Sequence, residues 1–333
     1  MATPTNELPG SPLPAISVIL PVLNEESHLE GAVLSVLSQD YLGPVEIILA
    51  LGPSRDRTNE IAAKLSAQDE RVKLIESPTG KTAAGLNLAL AASSSPVVVR
   101  VDGHAQIPRN YLSLIVDILN KTGAVNVGGI MAAVGTTAFE RAVAGAMRSP
   151  FGVGASRFHT GGDAGEVDTV YLGAFRREAL VAIGGFDERF TRAQDWELNF
   201  RLRENGGLIY FDPRLHVTYR PRSTVRALAK QYFEYGRWRR VVSRRHSGTI
   251  NFRYLAPPFA LLGFATSLIL GLLIDPFLFL PAVIYLVFVV AASLKIATSI
   301  REYFLLLLVI PTMHFAWGAG FISSPKTLVP TSH

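Results

Sequence analysis

The apolar run Val97-Val98-Val99-Arg100-Val101 ends on Asp102-Gly103-His104, which sets a carboxylate and an imidazole two residues apart. A run of β-branched residues reads as a strand buried on both faces of a parallel sheet, and open α/β sheets collect ligands beyond the carboxyl ends of such strands. On extended chain, residues two apart point the same way, so Asp102 and His104 are expected to reach one ion together. Oxygen plus imidazole donors suit Mn2+ or Mg2+ holding a diphosphate. The alternative at this point is that Asp102 only caps a helix starting near Pro108. A second carboxylate suited to chemistry is Asp195, in Gln194-Asp195-Trp196-Glu197-Leu198-Asn199. Its flanks are helical, which puts Asp195 in a first turn with one face toward the sheet. A carboxylate so placed serves as general base when it reaches an acceptor hydroxyl, although acids also collect in first turns because they suit the helix dipole.

These groups need a scaffold, and the preceding sequence supplies one. Ile16 to Leu20 reads as a strand, followed by Pro21-Val22-Leu23-Asn24-Glu25-Glu26, where Asn24 is expected to cap a helix. Val45 to Leu51, Val72 to Glu76 and Val97 to Val101 read as further strands, with helices over Asn59 to Ala67 and from Gly80-Lys81 to near Ser93. This βαβαβαβ alternation demands a mostly parallel sheet with right-handed crossovers. No Gly-x-Gly-x-x-Gly follows the first strand, and Gly80-Lys81-Thr82 lacks the earlier glycine of a phosphate loop. Hydride transfer and ATP hydrolysis both lose their signature. What remains is a nucleotide held mainly by side chains and a metal.

The 333 residues are 49% hydrophobic with a mean hydropathy of +0.28, too apolar for an average soluble protein. The excess lies after Leu255. Residues of about 255–274, 277–294 and 303–321 form three nearly uncharged runs, each near the ~20 residues that cross a ~30 Å hydrocarbon core. The short second run is alternatively partly re-entrant. Arg237, Arg239, Arg240, Arg244, Arg245, His246 and Arg253 precede the first run, and Lys295 and Arg301 separate the second from the third. Counted as positive-inside signals, they keep the first half of the chain and the second connection in the cytosol. Membrane contact thus accounts for the formal charge of +5 without nucleic acid. Tyr232 to Arg240 reads as an interfacial amphipathic segment with aromatic anchors, whose arginines, Arg237 among them, are suited to lipid-linked phosphate. Cysteine is absent, which excludes disulfides, thiolate catalysis and cysteine-based zinc sites. The expected organisation is a flexible leader (1–14), a catalytic domain (15–225), an interfacial segment (226–253), transmembrane helices (254–322) and a tail (323–333).

Taken in order, Pro21-x-x-Asn24-Glu25, Gly52-x-Ser54-x-Asp56-x-Thr58, Gly80-Lys81 with Asn87, Asp102-Gly103-His104 and Gln194-Asp195 resemble family 2 inverting glycosyltransferases of the GT-A fold. Val167-Asp168-Thr169-Val170, Gly184-Gly185-Phe186-Asp187, Gln194 to Asn199 and Tyr219-Arg220-Pro221-Arg222-Ser223 are similar to the succinoglycan-type bacterial exopolysaccharide transferases within it. The resemblance implies an α/β GT-A domain followed by transmembrane helices in the bacterial inner membrane. It implies a nucleotide sugar donor, UDP-linked in the first instance, a divalent metal, and attack by an acceptor hydroxyl with inversion. Asp102 takes the position of the metal- and diphosphate-binding acid, His104 stands where the usual motif has a second acid, and Asp195 takes the position of the base. Pro21, Asn24, Glu25, Asp56 and Lys81 match donor-binding positions. The acid usual after the second strand is missing from Ala50-Leu51-Gly52. Gln194, Trp196 and Glu197 are acceptor-site candidates, with Glu197 a reserve base. His216 is a third metal ligand or structural, with Tyr219 aligning nearer that position. Gly236-Arg237-Trp238 keeps only the Arg-Trp pair of the processive synthases. His159, in a Gly-rich segment, belongs to a lid over the donor or to a surface loop.

The reading is a membrane-anchored transferase moving a hexose to a hydroxyl of a lipid-linked saccharide or growing glycan. A polyprenyl-phosphate sugar synthase shares every element of it except the acceptor, and a noncatalytic membrane scaffold shares the fold alone.

Overall fold

The computed structural model describes residues 12–250 and 252–329. Most of the expected leader (1–11) and the end of the expected tail (330–333) lie outside the described residues. The chain divides into two compact units, one formed by residues up to Ala132 with Gly161–Tyr219, the other by Ala133–Thr160 with Arg220 onward.

The first unit carries β1 (Ile16–Val22), α1 (Leu29–Leu37), β2 (Val45–Leu51), α2 (Thr58–Gln68), β3 (Val72–Glu76), α3 (Thr82–Ala92), β4 (Val97–Arg100), α4 (Tyr111–Thr122) and most of β5 (Asn126–Ala133). The second unit then contributes α5 (Ala138–Met147), α6 (Pro150–Val153) and α7 (Arg157–Thr160). The first resumes with β6 (Gly165–Glu166), β7 (Ala174–Arg176), α8 (Arg177–Ala182), α9 (Gln194–Glu204) and β8 (Ile209–Tyr219). One sheet results, in the order β3-β2-β1-β4-β7-β5-β8-β6. Its first half is parallel, with Ile16 opposite both Val45 and Val97. The second half is antiparallel, β7 running against β4 and β5 and β6 against β8, so the sheet is mixed rather than parallel throughout.

Val18, Leu20, Ile47, Leu49 and Val99 are fully buried in this sheet, and Ile115 of α4 joins the same core. Each such side chain stabilises the fold by roughly 1.5–3 kcal/mol over an exposed one. Because β2 and β4 flank β1, the strand order reverses at β1, and the crevice beyond the ends of β1 and β4 is the topological switch point.

Two local expectations are corrected. The helix after β1 starts at Leu29 behind His28, and Asn24 sits five residues earlier with φ of 55°, so it caps nothing. The helix after β4 starts at Tyr111 behind Asn110, which removes the capping alternative for Asp102.

The second unit adds α10 (Val225–Arg245), α11 (Phe252–Leu273), α12 (Leu280–Ile296), entered through a 3-10 turn at Pro276–Phe279, and α13 (Ile300–Ser323). Three helices, Phe252–Leu273, Pro276–Ile296 and Ile300–Ser323, are long and apolar enough to cross a membrane. The second continues from that turn as one helix without an internal break. Against α13, α10 packs so closely that a Cβ on Gly236 would lie 2.0 Å from the Trp317 carbonyl, and one on Gly320 would lie 2.0 Å from that of Phe233. Part of Tyr232 to Arg240 is thereby covered by protein, while Tyr235 stays exposed. Tyr232, Trp238 and Arg239 are buried in protein, Arg237 pairs with Glu234 at 2.8 Å, and the Arg239 guanidinium stacks 3.7 Å over the Tyr254 ring.

Candidate active site

Two loops meet beyond the ends of β1 and β2. The Asn24 amide N–H donates to Ser54 Oγ (3.1 Å), Asn24 Oδ1 accepts from the Arg55 N–H (2.8 Å), and the Glu25 N–H donates to Thr58 Oγ1 (2.7 Å). Asp56 accepts from the Glu26 N–H, the Thr58 N–H and the Thr58 hydroxyl. That hydroxyl, followed by the backbone donors, holds its carboxyl below the usual range. Asp56 therefore closes the two loops on each other and starts α2. Gly52 lies against Leu23 and Gly80, where a Cβ would meet Leu23 Cδ1 at 3.0 Å and Gly80 Cα at 3.1 Å. Lys81 follows Gly80, exposed at the N-terminus of α3, and Pro21 is half-buried in β1.

The end of β4 departs from the extended geometry that the spacing suggests. β4 stops at Arg100, and the Asp102 carbonyl accepts from the Ala105 N–H (2.9 Å), so Asp102-Gly103-His104 is a turn. The two side chains part company within it. Asp102 accepts from Arg100 Nε (3.0 Å), whereas His104 Nδ1 lies 2.7 Å from Glu25 Oε1, linking the loops after β4 and β1 across the switch point. Among the described residues no group of three or more His, Asp or Glu side chains is gathered to hold an ion.

Asp195 lies in the first turn of α9, as its flanks imply. Its carboxylate accepts from Arg100 Nη1 and from the Leu172 N–H. Burial raises its pKa above the usual carboxylate range, outweighing the pull of Arg100. Arg100, 5% exposed, therefore holds both Asp102 and Asp195. Burial alone would lower its pKa, but Asp102 and then Asp195 raise it instead. Tyr171 sits in the same cluster, its phenol held protonated by burial and then by Asp102. Among the described residues, the three non-glycine residues with positive φ are Asn24, Leu172 and Ala193. One is in the loop after β1, one donates to Asp195, and one immediately precedes α9. Such strain, on the order of 1–3 kcal/mol per residue, gathers at functional sites.

The remaining candidates separate. Gln194 opens α9, and Trp196 stacks on Phe200 with ring centroids 5.7 Å apart. Glu197 is 2% exposed, and its two oxygens accept from Arg201 Nε and Nη2, both at 2.7 Å. Arg201 also donates to the Ile183 and Gly185 carbonyls (both 2.8 Å). This places Glu197 in a structural pair rather than an open site, against its reading as acceptor contact and reserve base. His216 is exposed on β8 and Tyr219 is 8% exposed at its end. His159, Arg237 and Trp238 belong to the second unit. Arg100 and Tyr171 are additions that the motifs did not supply. The signal for Arg100 was a lone cation inside an apolar strand, which must find counter-charges.

Residues 17–184 match the family described as Glycosyl transferase family 2. The chain belongs to glycosyl transferase family 2. Over 91% of its length the glycosyltransferase is 30% identical to the succinoglycan biosynthesis protein ExoA of Rhizobium meliloti (strain 1021), covering 93% of that protein. It is 23% identical, over 92% of its length and 95% of the relative's, to a Methanococcus voltae dolichyl N-acetyl-alpha-D-glucosaminyl phosphate 3-beta-D-2,3-diacetamido-2,3-dideoxy-beta-D-glucuronosyltransferase. Among solved structures, the mannosyltransferase PcManGT from Pyrobaculum calidifontis, in complex with GDP-Man and Mn2+, has the same fold at a TM-score of 0.58. That match has 20% identity and covers 94% of this chain and 88% of that one.

Proposed function

We propose that this glycosyltransferase moves a hexose, with inversion, from a nucleoside diphosphate sugar to a hydroxyl of a lipid-linked saccharide or growing envelope glycan at a bacterial inner membrane. The observation that carries the proposal is the convergence of Asp102 and Asp195 on one guanidinium beside the switch point. In this reading the acceptor oxygen attacks the anomeric carbon and gives its proton to the Asp195 carboxylate. The bond from that carbon to the diphosphate oxygen breaks, and the nucleoside diphosphate leaves. The raised pKa of Asp195 makes it a stronger proton acceptor than an exposed aspartate. Asn24 and Glu25 line the donor side, and Lys81 supplies a compact cation for the phosphates.

The chemistry of the donor set fits a divalent ion. In the tautomer that donates its Nδ1 proton to Glu25, His104 would carry its lone pair on Nε2, the arrangement common to metal-binding histidines. Asp102 and His104 would hold Mn2+ or Mg2+, whose charge would stabilise the leaving diphosphate. Few protein ligands are required, because such ions take much of their shell from substrate phosphate and water.

The relative whose name specifies a dolichyl phosphate-linked sugar as acceptor supports a lipid-linked saccharide here. The three apolar helices and the basic stretch ahead of them support attachment to a membrane whose cytosolic face carries the catalytic domain. The test is the product of the purified full chain with UDP-, GDP- and dTDP-sugars, Mn2+ or Mg2+, and a lipid-linked saccharide. A product with anomeric configuration opposite to the donor's is expected. Retention, or transfer to plain polyprenyl phosphate in preference to the saccharide, overturns the reading.

A further inference from the structure

We infer that Arg100 is a positioning residue of the transfer reaction, one guanidinium that fixes the separation and orientation of Asp102 and Asp195. The inference rests on the roles proposed above for those two carboxylates.

The geometry is specific. Arg100 is the last residue of β4, and its N–H donates to the Gly173 carbonyl at 3.1 Å, so its backbone is tied into the sheet on the side of β7. Its side chain is 6% exposed, against 18% for Asp102 and 24% for Asp195. Nε and Nη2 both lie 3.0 Å from Asp102 Oδ1, while Nη1 binds Asp195 Oδ1. The two carboxylates are 93 residues apart in sequence, one on a turn after β4 and the other on α9. Without Arg100 they are two negative groups sharing one enclosed site, 18% and 24% exposed. The planar fork converts that repulsion into a fixed spacing, which a lysine cannot copy, because an ammonium is a point charge without bidentate geometry. Arg100 itself is too enclosed to serve as an open phosphate contact. Its effect on the reaction therefore passes through the alignment of the two acids, where a misplacement of about 1 Å costs about 10²-fold in rate.

The experiment uses the full chain in detergent or nanodiscs with Arg100→Lys, Arg100→Met, Asp195→Asn and the double variant Arg100→Met/Asp195→Asn. Turnover is measured alongside calorimetric binding of UDP with Mn2+. Arg100→Lys keeps a charge in the site and so remains the informative variant should Arg100→Met not fold. Its kcat is expected to fall by about 10²-fold, with the loss of UDP–Mn2+ affinity that passes through Asp102 smaller than the loss of kcat. Arg100→Met should lose more kcat than Arg100→Lys, and in the Asp195→Asn background it should cost less than in the parent, because one of the two groups it aligns is gone. Parent-like kcat in Arg100→Lys overturns the inference. So does a loss confined to KM and UDP–Mn2+ affinity, which would make Arg100 a donor contact. An active Asp195→Asn enzyme refutes the proposed base instead, whatever the arginine variants do.

Discussion

Methionine in place of Arg201 separates a structural account of Glu197 from a catalytic one. In the parent, Arg201 gives two hydrogen bonds to a carboxylate that is 2% exposed and two more to the Ile183 and Gly185 carbonyls. Removing it leaves a buried charge and two carbonyls without these donors. Breaking a buried pair from one side costs about 3–5 kcal/mol. For a unit of 150–250 residues, each kcal/mol lowers Tm by about 2–4 °C, so the expected drop is about 6–20 °C. Replacing both partners, in Glu197→Leu/Arg201→Met, removes the buried charge and should recover much of the loss, with about 1–3 kcal/mol remaining for the carbonyls. Melting curves of the parent, the two single variants and the double variant form the cycle. Kinetics add the second arm, since Glu197→Gln should keep most of the parent kcat while melting earlier. A Tm for Arg201→Met equal to the parent's, or a Glu197→Gln variant that is fully stable yet inactive, refutes the reasoning.

Glu140 gives a pH-dependent test in the second unit. Its carboxyl is held down at about 2 by the Thr136 hydroxyl and then the Thr137 N–H. A depressed folded pKa adds stability above the unfolded value, and that contribution is lost as pH falls from about 4.5 through about 2. Glu140→Gln should therefore melt earlier at pH 7, by roughly 1–3 kcal/mol after allowance for screening, with the gap narrowing below about pH 4.5; a pH-independent gap contradicts this. Gly52→Ala should push Gly80 and Lys81 away from Leu23, at about 1–3 kcal/mol of overpacking, and weaken UDP–Mn2+ binding in calorimetry. Parent-like affinity would show that the 52/80 contact does not shape the donor side.

The parallel half of the sheet was legible because each strand is a run of β-branched or aliphatic residues closed by Gly, Pro or charge. The limits expected for β2 and β3 coincide with the observed ones. The antiparallel half was not, since β6 and β7 contain two and three residues and are strands only by virtue of their neighbours. Helices long and apolar enough to cross a membrane announce themselves by length and lack of charge, and the three observed helices differ from the expected runs by only a few residues at their ends. In the aromatic stretch of α10, amphipathicity records that a face is buried, not whether protein or lipid buries it, and α13 covers part of that face. At the site, the motifs brought Asp102 and Asp195 to notice, whereas the turn after Arg100 could not be read from spacing that assumed extended chain. Glu197 and Arg201 are four residues apart on one helix, a spacing that signals an ion pair as readily as chemistry.

The central claim is that Asp195 accepts the proton of the acceptor hydroxyl, and Asp195→Asn tests it most directly, because the amide preserves shape while removing the basic oxygen. Single-turnover transfer from the donor to a lipid-linked saccharide is compared with UDP–Mn2+ binding in the same preparation. Transfer is expected to fall by about 10²–10⁴-fold with binding within a few-fold of the parent. Transfer at a rate close to the parent's, with binding intact, would contradict the account.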